Sequence, residues 1–367
     1  MPFSRNQIWT TVFIYGVSHM FVDAASLVCY SALIRDYSHD LGIQITIFLL
    51  YGLIAFATQS PLGLLADCLN RPVLISIAGC LSVAIAPFCV AIPAVALLFV
   101  GAGNSLFHVG GGVITLSLAK GRAAIPGFYV APGTIGVVIG VLLGAEPIET
   151  GLFFAPLLLM LSLIILATGP PFWRITNTTR VFCSNSKKPK TVSLLILTAI
   201  VLLFLTIMTR SLVSAFLTSP DNDKMMITKN MLLSYTIPAA VFAGKLVGGF
   251  LADRLGWRYF VSVVLCLSAI LFYISKISIW SIIPAIFLFS MTMPVTLTAI
   301  SNLLPKFPGF AFGITALGYI AGVFLAMTCS PVAETIAILG FLTVVLFFTG
   351  ISIYYANEDL RFRLSKW

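Results

Sequence analysis

Apolar runs of about 20 residues follow one another along almost the whole chain, and they constrain its fold more than any other feature. A helix needs about 20 apolar residues to cross a bilayer, and in lipid only helices and closed barrels satisfy every backbone hydrogen bond internally. Of the 367 residues, 59% are hydrophobic and 9% are charged, against about 25% charged in a soluble domain. The sequence therefore predicts an all-α integral membrane protein.

The spacing of the apolar runs predicts twelve transmembrane helices in two pseudosymmetric sets of six. The first six spans are predicted at 9–34, 43–66, 73–91, 94–118, 127–146 and 151–169. The second six are predicted at 192–218, 229–252, 259–276, 279–300, 310–330 and 333–355. The predicted organisation is an N-terminal half (1–169), a cytoplasmic linker (170–191), a C-terminal half (192–356) and a cytoplasmic tail (357–367).

The distribution of basic residues between the connecting segments tests this number of spans. With the first segment inside, the inner segments hold 15 of the 21 Lys and Arg residues, and the outer loops hold four. The inner ones are Arg5, Arg71, Lys120, Arg122, Arg174, Arg180, Lys187, Lys188, Lys190, Arg254, Arg258, Lys306, Arg361, Arg363 and Lys366. Such a bias predicts that both termini are cytoplasmic. The expected location is the cell membrane, plasma or inner.

Composition and motifs also argue against several classes of function. The net charge of +9 is mostly accounted for by this topogenic bias, so nucleic-acid binding is not expected. Seven scattered cysteines without a Cys-x-x-Cys spacing argue against a disulfide framework or a zinc site. No hydrolase or metalloprotease motif and no phosphate-binding loop is present, so we expect no enzyme. The expected partners are a small-molecule substrate and the lipid bilayer, with a functional monomer and no cofactor beyond a coupling ion.

A short polar loop occurs twice, at equivalent places in the two predicted halves. The first loop is residues 63–71, and the second loop, residues 249–258, begins 186 positions later. In each, an aspartate ends an apolar run, and an Asn or Gly that can take positive φ follows it. The residues of interest are Gly63, Asp67 and Arg71 in the first loop, and Gly249, Asp253, Arg254 and Arg258 in the second. Internal repeats of this kind are typical of transporters.

Glycines repeat in the same way within the spans. Gly136 and Gly140 of span 5 correspond to Gly318 and Gly322 of span 11 at a constant offset of 182. Glycine at i and i+4 makes a small-residue face that lets helices approach closely. We therefore predict that spans 5 and 11 pack tightly against neighbouring helices through these faces.

Ionisable side chains inside spans are costly, and they mark candidate functional sites. His19 and Asp23 lie four apart in span 1 and therefore share a helix face. His108 follows Asn104 in a glycine-rich stretch of span 4, where a loosened helix lets a ligand approach the backbone. We predict that these four residues contribute to substrate binding and proton coupling. The alternatives are a His19–Asp23 pair that only satisfies itself and a His108 that only bonds a neighbouring carbonyl.

Two further cations lie inside spans of the second half. Arg210 in span 7 carries a permanent charge and needs an acidic partner or an anionic ligand. Asp23 is the expected partner, because its pseudosymmetric counterpart is adjacent to Arg210. Lys245 in span 8 is a candidate site residue, with snorkelling toward the membrane surface as the alternative. We predict that Asp23 couples transport to protons, because it is the only carboxylate that the sequence places well inside a span.

The repeated loop resembles the signature between helices 2 and 3 of major facilitator transporters and its echo between helices 8 and 9. The second loop matches well, whereas the first has Cys68 in place of the usual basic residue and Asn70 in place of the usual Gly. The resemblance implies the major facilitator fold and a gating role for the two loops. It also implies that spans 1, 4, 7 and 10 line the central pathway, where His19, Asp23, His108 and Arg210 would then lie.

Within that superfamily, the chain is similar to fosmidomycin-resistance-type efflux transporters. The similarity rests on Ser18-His19 with Asp23, on Gly101-x-Gly103-x-Ser105-x-Phe107-His108, on Gly121-Arg122 and on Leu303-Leu304-Pro305. That group has Pro-Glu after the histidine, whereas this chain has Val109-Gly110.

The sequence thus predicts a secondary transporter that moves a small organic solute, with organic anions among the candidates, by alternating access coupled to protons. One alternative is a transition-metal transporter that uses His19, Asp23 and His108, since imidazole and carboxylate suit such metals. Another is a transport-inactive membrane sensor on the same fold, which measurement of flux into proteoliposomes would distinguish from a carrier.

Overall fold

The structure is a computed structural model that describes residues 4–36, 39–145, 149–168, 190–218, 231–275, 277–328 and 333–364. Every regular element in these ranges is helical. The first six long helices are α1 (Arg5–Asp36), α2 (Leu41–Leu69), α3 (Pro72–Cys89), α4 (Pro93–Ala119), α5 (Ala124–Leu143) and α6 (Phe154–Thr168). The next six are α7 (Lys190–Thr218), α8 (Met231–Leu255), α9 (Trp257–Ile274), α10 (Ile279–Leu303), α11 (Pro308–Thr328) and α12 (Ala333–Leu364).

These helices correspond one to one with the twelve predicted spans. Eleven of the described helices are long and apolar enough to cross a membrane, and α6 is a shorter apolar helix of 15 residues. A separate helical turn, Glu149–Leu152, precedes α6 within the predicted sixth span. The largest difference in length is at α12, which continues to Leu364 and so includes most of the predicted tail.

Both repeated loops turn the chain through a residue with positive φ, as their sequences predict. Asn70 has a φ of 52° after α2, and Gly256 has a φ of 84° after α8. Pro72 then begins α3, where its missing N–H is not needed for a helical hydrogen bond. The two loops are therefore tight turns between consecutive helices.

Two helices are interrupted along their length. In α2 the segment Leu53–Ala57 is a π-helical turn, closed by a hydrogen bond from the Thr58 N–H to the Leu53 carbonyl. In α10 the helical segments Ile282–Ser290 and Met293–Leu303 are separated by two residues. Pro294 contributes to this break, because its ring removes a helical N–H donor at the start of the second segment.

The chain forms two compact units. The first comprises Met1–Lys120, Ile125–Ile175 and Phe307–Leu317. The second comprises Gly121–Ala124, Thr176–Lys306 and Gly318–Trp367. The predicted boundaries at the linker stay a prediction, because residues 169–189 lie outside the described residues.

Glycine faces pack helices together within each unit. In the first unit, Gly136 and Gly140 of α5 face α1, and a Cβ atom added at Gly140 would lie 2.6 Å from the Cβ of Leu27. In the second unit, Gly318 and Gly322 of α11 face α7, and a Cβ atom at Gly318 would lie 3.3 Å from the nearest α7 atoms. The predicted small-residue packing is therefore present in both units.

Candidate functional site

Asp23 of α1 lies at the centre of a polar cluster in the first unit. Its Oδ2 lies 3.2 Å from Nε2 of His19, one helical turn earlier on the same face. Its Oδ1 lies 3.5 Å from Nε2 of His108 on α4. The carboxylate thus lies between two imidazoles that reach it from different helices. We call His19, Asp23, Asn104 and His108 the His–Asp cluster.

Asn104 completes this cluster from α4, one turn before His108. Its Nδ2 donates to Oδ1 of Asp23 at 3.1 Å and to Oγ of Ser26 at 3.3 Å. Asn104 and the two histidines are buried, while 13% of the Asp23 side chain stays exposed. A similar fraction of the His108 side chain, 10%, is exposed, so the cluster is nearly enclosed.

Backbone carbonyls fix the orientation of both imidazole rings. Nδ1 of His19 lies 2.9 Å from the carbonyl oxygen of Tyr129 on α5, and Nδ1 of His108 lies 2.8 Å from that of Asn104. A carbonyl oxygen can only accept, so each Nδ1 carries a hydrogen and donates it. In a neutral ring this leaves a lone pair on Nε2, which faces Asp23.

Gly133 of α5 was not among the predicted site residues, yet it forms one wall of the His–Asp cluster. A Cβ atom at this position would lie 2.5 Å from Nε2 of His19 and 2.7 Å from Oδ2 of Asp23. Any larger residue would therefore displace the ion pair. Gly133 is not repeated in the second half of the chain, where the residue at the offset of 182 is Thr315. The glycine repeat therefore does not identify this position.

Three of the cluster residues can hold a metal ion. The ligand atoms of His19, Asp23 and His108 all lie within 4.8 Å of one another. Histidines that bind metals commonly donate the second ring N–H to a carbonyl or carboxylate, as both rings do here. The donor set of two imidazoles and a carboxylate suits a divalent transition metal.

Arg210 is the buried cation of the second unit. Its side chain lies among threonines of α10, donating from Nη1 to Oγ1 of Thr292 at 2.9 Å and from Nη2 to Oγ1 of Thr296 at 3.1 Å. We call Arg210, Thr292 and Thr296 the arginine site. The predicted Asp23–Arg210 pair would join residues of different units and stays a prediction.

The remaining predicted residues lie at the loops and on α8. Lys245 is half-buried on α8, next to Gly244, which packs against α10 near Ser290. Arg71, Arg254 and Arg258 are exposed, and Arg258 lies 5.8 Å from the ring centre of Phe348.

The aspartate of each repeated loop bonds the start of a helix in its own unit. Asp67 accepts hydrogen bonds from the N–H groups of Gly309 and Phe310, at 2.8 and 2.9 Å. Asp253 accepts from those of Ala123 and Ala124, at 2.9 Å each. Carboxylates are favoured at helix N-termini, where free N–H groups and the helix dipole meet them.

Comparison with known proteins identifies the fold as that of the major facilitator transporters. No family model matches the chain, and no curated protein matches it. Among solved structures, the E. coli fucose:proton symporter FucP matches with a TM-score of 0.64 and 12% identity, over 95% of this chain and 99% of that one. A second FucP structure, in the outward conformation, matches with a TM-score of 0.62 at the same identity and coverage.

The human organic anion transporter MFSD10 (TETRAN) is a third match. Its TM-score is 0.64 at 14% identity, over 98% of this chain and 100% of that one. At such identities the likeness shows the fold. The chain is thus an all-α integral membrane protein with the twelve-helix major facilitator fold, as the sequence predicts.

Proposed function

We propose that this protein is a secondary transporter that moves a small organic solute by alternating access and couples the movement to protons. Its structural neighbours are a fucose:proton symporter and an organic anion transporter, and secondary transport is the activity their fold supports. The further similarity to fosmidomycin-resistance-type efflux transporters rests on the short motifs around His19 and His108. We include efflux in the proposal on that basis.

The observation that carries the proton coupling is the convergence of two imidazole Nε2 atoms on one carboxylate. Because each Nδ1 donates to a carbonyl, an unprotonated cluster would direct lone pairs of His19 and His108 at the oxygens of Asp23. Lone pairs at 3.2 Å repel one another unless a proton lies between them. The His–Asp cluster is therefore favourable when it holds at least one proton that Asp23 shares with a ring.

The proposed roles follow from these contacts. Asp23 takes and releases the coupling proton, because it is the carboxylate on which both imidazole Nε2 atoms converge. His19 and His108 share that proton, and Asn104 holds the carboxylate in place through its amide. His19 also donates from Nδ1 to the α5 backbone in either protonation state, so the residue that shares the proton links α1 to α5.

Replacement of Asp23 tests the proposal. The solute that gives the largest thermal shift in a screen of organic anions, sugars, drugs and divalent metals is supplied to proteoliposomes under an imposed pH gradient. The wild-type protein should concentrate this solute, whereas Asp23→Asn, which keeps the shape but cannot ionise, should only equilibrate it. Asp23→Asn combined with Asn104→Asp is the matched variant, because it restores an ionisable carboxylate to the cluster.

Normal accumulation by Asp23→Asn would place the coupling elsewhere or make the carrier a uniporter. An absence of flux for every solute that stabilises the protein would instead favour the transport-inactive sensor. The same proteoliposomes distinguish all three functions.

A second candidate is a transition-metal transporter, favoured by the three ligand atoms within 4.8 Å in the first unit. In that case the metal ion is the cargo, held by His19, Asp23 and His108. Uptake of Zn²⁺ or Mn²⁺ that is abolished by His108→Leu, with no uptake of any organic solute, would replace the first candidate by this one.

We also propose that both termini and the 170–191 linker are cytoplasmic in a plasma or bacterial inner membrane. The distribution of basic residues supports this orientation. Cys183, which lies in the linker and outside the described residues, should then resist a membrane-impermeant thiol reagent applied to intact cells. Ready labelling of Cys183 would indicate the opposite orientation, with the linker outside the cell.

A further inference from the structure

The guanidinium of Arg210 is a buried positive charge in contact with neutral groups. The residue is 5% exposed, and its Nη atoms donate to the hydroxyls of Thr292 and Thr296. An arginine side chain stays protonated in proteins, so the charge cannot be removed by losing a proton. A buried charge that is not paired is strongly unfavourable.

The two threonine hydroxyls orient the guanidinium without compensating its charge. Oγ1 of Thr292 donates to the Phe289 carbonyl at 2.8 Å, and Oγ1 of Thr296 donates to the Met293 carbonyl at 2.9 Å. Each hydroxyl hydrogen is therefore used within α10, and only a lone pair is presented to Arg210. The arginine site is thus fixed in position and remains cationic.

The described acids do not supply the missing negative charge within the second unit. Asp253 is the only acid of that unit whose side chain lies within the described residues, and its oxygens accept from Ala123, Ala124 and Trp257. In the first unit, Asp23 already contacts two imidazoles and the amide of Asn104.

The main chain beside the arginine site is irregular. Thr292 lies at the break in α10, between the segments Ile282–Ser290 and Met293–Leu303. Gly248 of α8 packs directly on the backbone of Met291, where an added Cβ atom would meet the carbonyl carbon at 2.6 Å. Interrupted helices recur at the substrate sites of transporters, where irregular backbone lines a cavity.

We infer that Arg210 binds the oxyanion group of the transported solute, a carboxylate or a phosphate that accepts two parallel N–H bonds from the guanidinium. The planar fork of arginine matches both groups in this way. This inference deepens the proposed transport function and rests on it. It narrows the substrate class to organic anions, which enter a site already oriented by Thr292 and Thr296.

Anion-dependent stabilisation of the purified full chain tests the inference. Thermal unfolding in detergent is measured with acetate, benzoate, inorganic phosphate and phenyl phosphate, and with benzyl alcohol as an uncharged probe. At least one oxyanion should raise the melting temperature saturably in the wild-type protein, and benzyl alcohol should not. Arg210→Gln should weaken the binding of that anion by at least about tenfold, since a hydrogen bond to a charged group is lost.

Two further variants separate binding from folding. Arg122→Gln removes an exposed arginine of the same unit and should leave the anion-dependent shift unchanged. Thr296→Val keeps the charge, the side-chain volume and the hydrogen bond from Arg210 to Thr292, so the protein should fold and bind the anion severalfold more weakly. This second variant keeps the inference testable if Arg210→Gln does not fold.

Three results would overturn the inference: no oxyanion stabilises the wild-type protein, the shift survives Arg210→Gln, or only phosphatidylglycerol in the micelles produces it. The last result would assign the site to a lipid headgroup. The measurement uses no pH gradient, so its failure is distinct from a failure of proton coupling, which the Asp23→Asn flux experiment detects.

Discussion

The two repeated loops make the same kind of contact with a helix start, but their aspartates accept different numbers of hydrogen bonds. In each loop, a glycine leaves room for the first turn of another helix to pack against it. An aspartate one turn later accepts hydrogen bonds from the backbone N–H groups at the start of that helix. Asp67 accepts two backbone N–H groups, while Asp253 accepts two and also the indole N–H of Trp257, at 3.0 Å. Residue 71, which corresponds to Trp257 in the repeat, is an exposed arginine.

This difference identifies the loop position whose side chain changes the number of hydrogen bonds that the aspartate accepts. The sequence draws attention to Cys68, where the second loop has Arg254. In the structure the third donor to Asp253 is instead the side chain of Trp257, four residues after the aspartate. The residue four positions after the aspartate, Arg71 or Trp257, is therefore where the two loops differ in the hydrogen bonds that the aspartate accepts.

The choice of donors at each helix start follows from proline. Pro308 begins α11 and has no N–H, so the first available donors are Gly309 and Phe310, which bind Asp67. In α5 the proline lies later, at Pro126, and the earlier N–H groups remain free to bind Asp253.

Substitution of the loop glycine should have the largest effect on this comparison. A Cβ atom at Gly63 would lie 2.8 Å from the Phe310 nitrogen and closer still to the backbone of Gly309, which cannot move without displacing α11. Gly63→Ala should therefore destabilise the protein by about 3 kcal/mol in thermal unfolding. Gly340→Ala is the control, because its nearest neighbour is a Phe272 ring atom at 3.8 Å. Equal effects of the two substitutions would contradict the close contact at Gly63.

Removal of the aspartates should have the next largest effect. Asp67→Ala should cost about 1.5 kcal/mol, and Asp253→Ala about 1 kcal/mol more, because it leaves a third donor without an acceptor. Both variants should shift the balance between inward- and outward-open states and keep substrate binding, as measured by thiol accessibility and thermal shift. A lost binding site with an unchanged balance of states would count against a gating role for the loops.

Trp257→Phe should leave Asp253 with two hydrogen bonds, the same number that Asp67 accepts in the first loop. The ring is kept and the indole donor to Asp253 is removed, so we expect a loss of about 1 kcal/mol in unfolding free energy. In the Trp257→Phe background, Asp253→Ala should then cost no more than Asp67→Ala. If the excess persists, the third hydrogen bond is not its source.

Cys68→Arg should have the smallest effect. The substitution gives the first loop a basic residue at the position where the second loop has Arg254. Because both positions are exposed, the gain in unfolding free energy should stay below about 1 kcal/mol. High salt should remove this gain. A larger, salt-resistant gain would mean that the base beside the aspartate matters more than position 71.

Helix number, helix type and turn positions could be predicted from the sequence, because lipid allows few alternatives. Apolar length defines the spans, and Asn70 and Gly256 have the positive φ that their residue types favour. The i,i+4 spacing also placed His19 and Asp23 on one face, where they do form a pair. These features depend on local sequence and on the solvent.

Contacts made by backbone groups could not be predicted in this way. The Tyr129 carbonyl that orients His19 and the wall formed by Gly133 have no side-chain signature, and both depend on how α5 packs against α1. The break at Thr292 was likewise missed, although Pro294 is a local signal for it. The functional role of the predicted site residues stays a prediction that the proposed variants test.

The glycine face of α5 has an entropic consequence for movement. Gly133, Gly136, Gly140 and Gly144 all lie in close contact with α1. Burying a long side chain costs up to about 2 kcal/mol in lost rotamer freedom, whereas burying glycine costs none. On the α5 side, the two helices can therefore separate and pack again without any change in rotamer entropy, and the entropic cost of such a rearrangement comes from the α1 side chains alone.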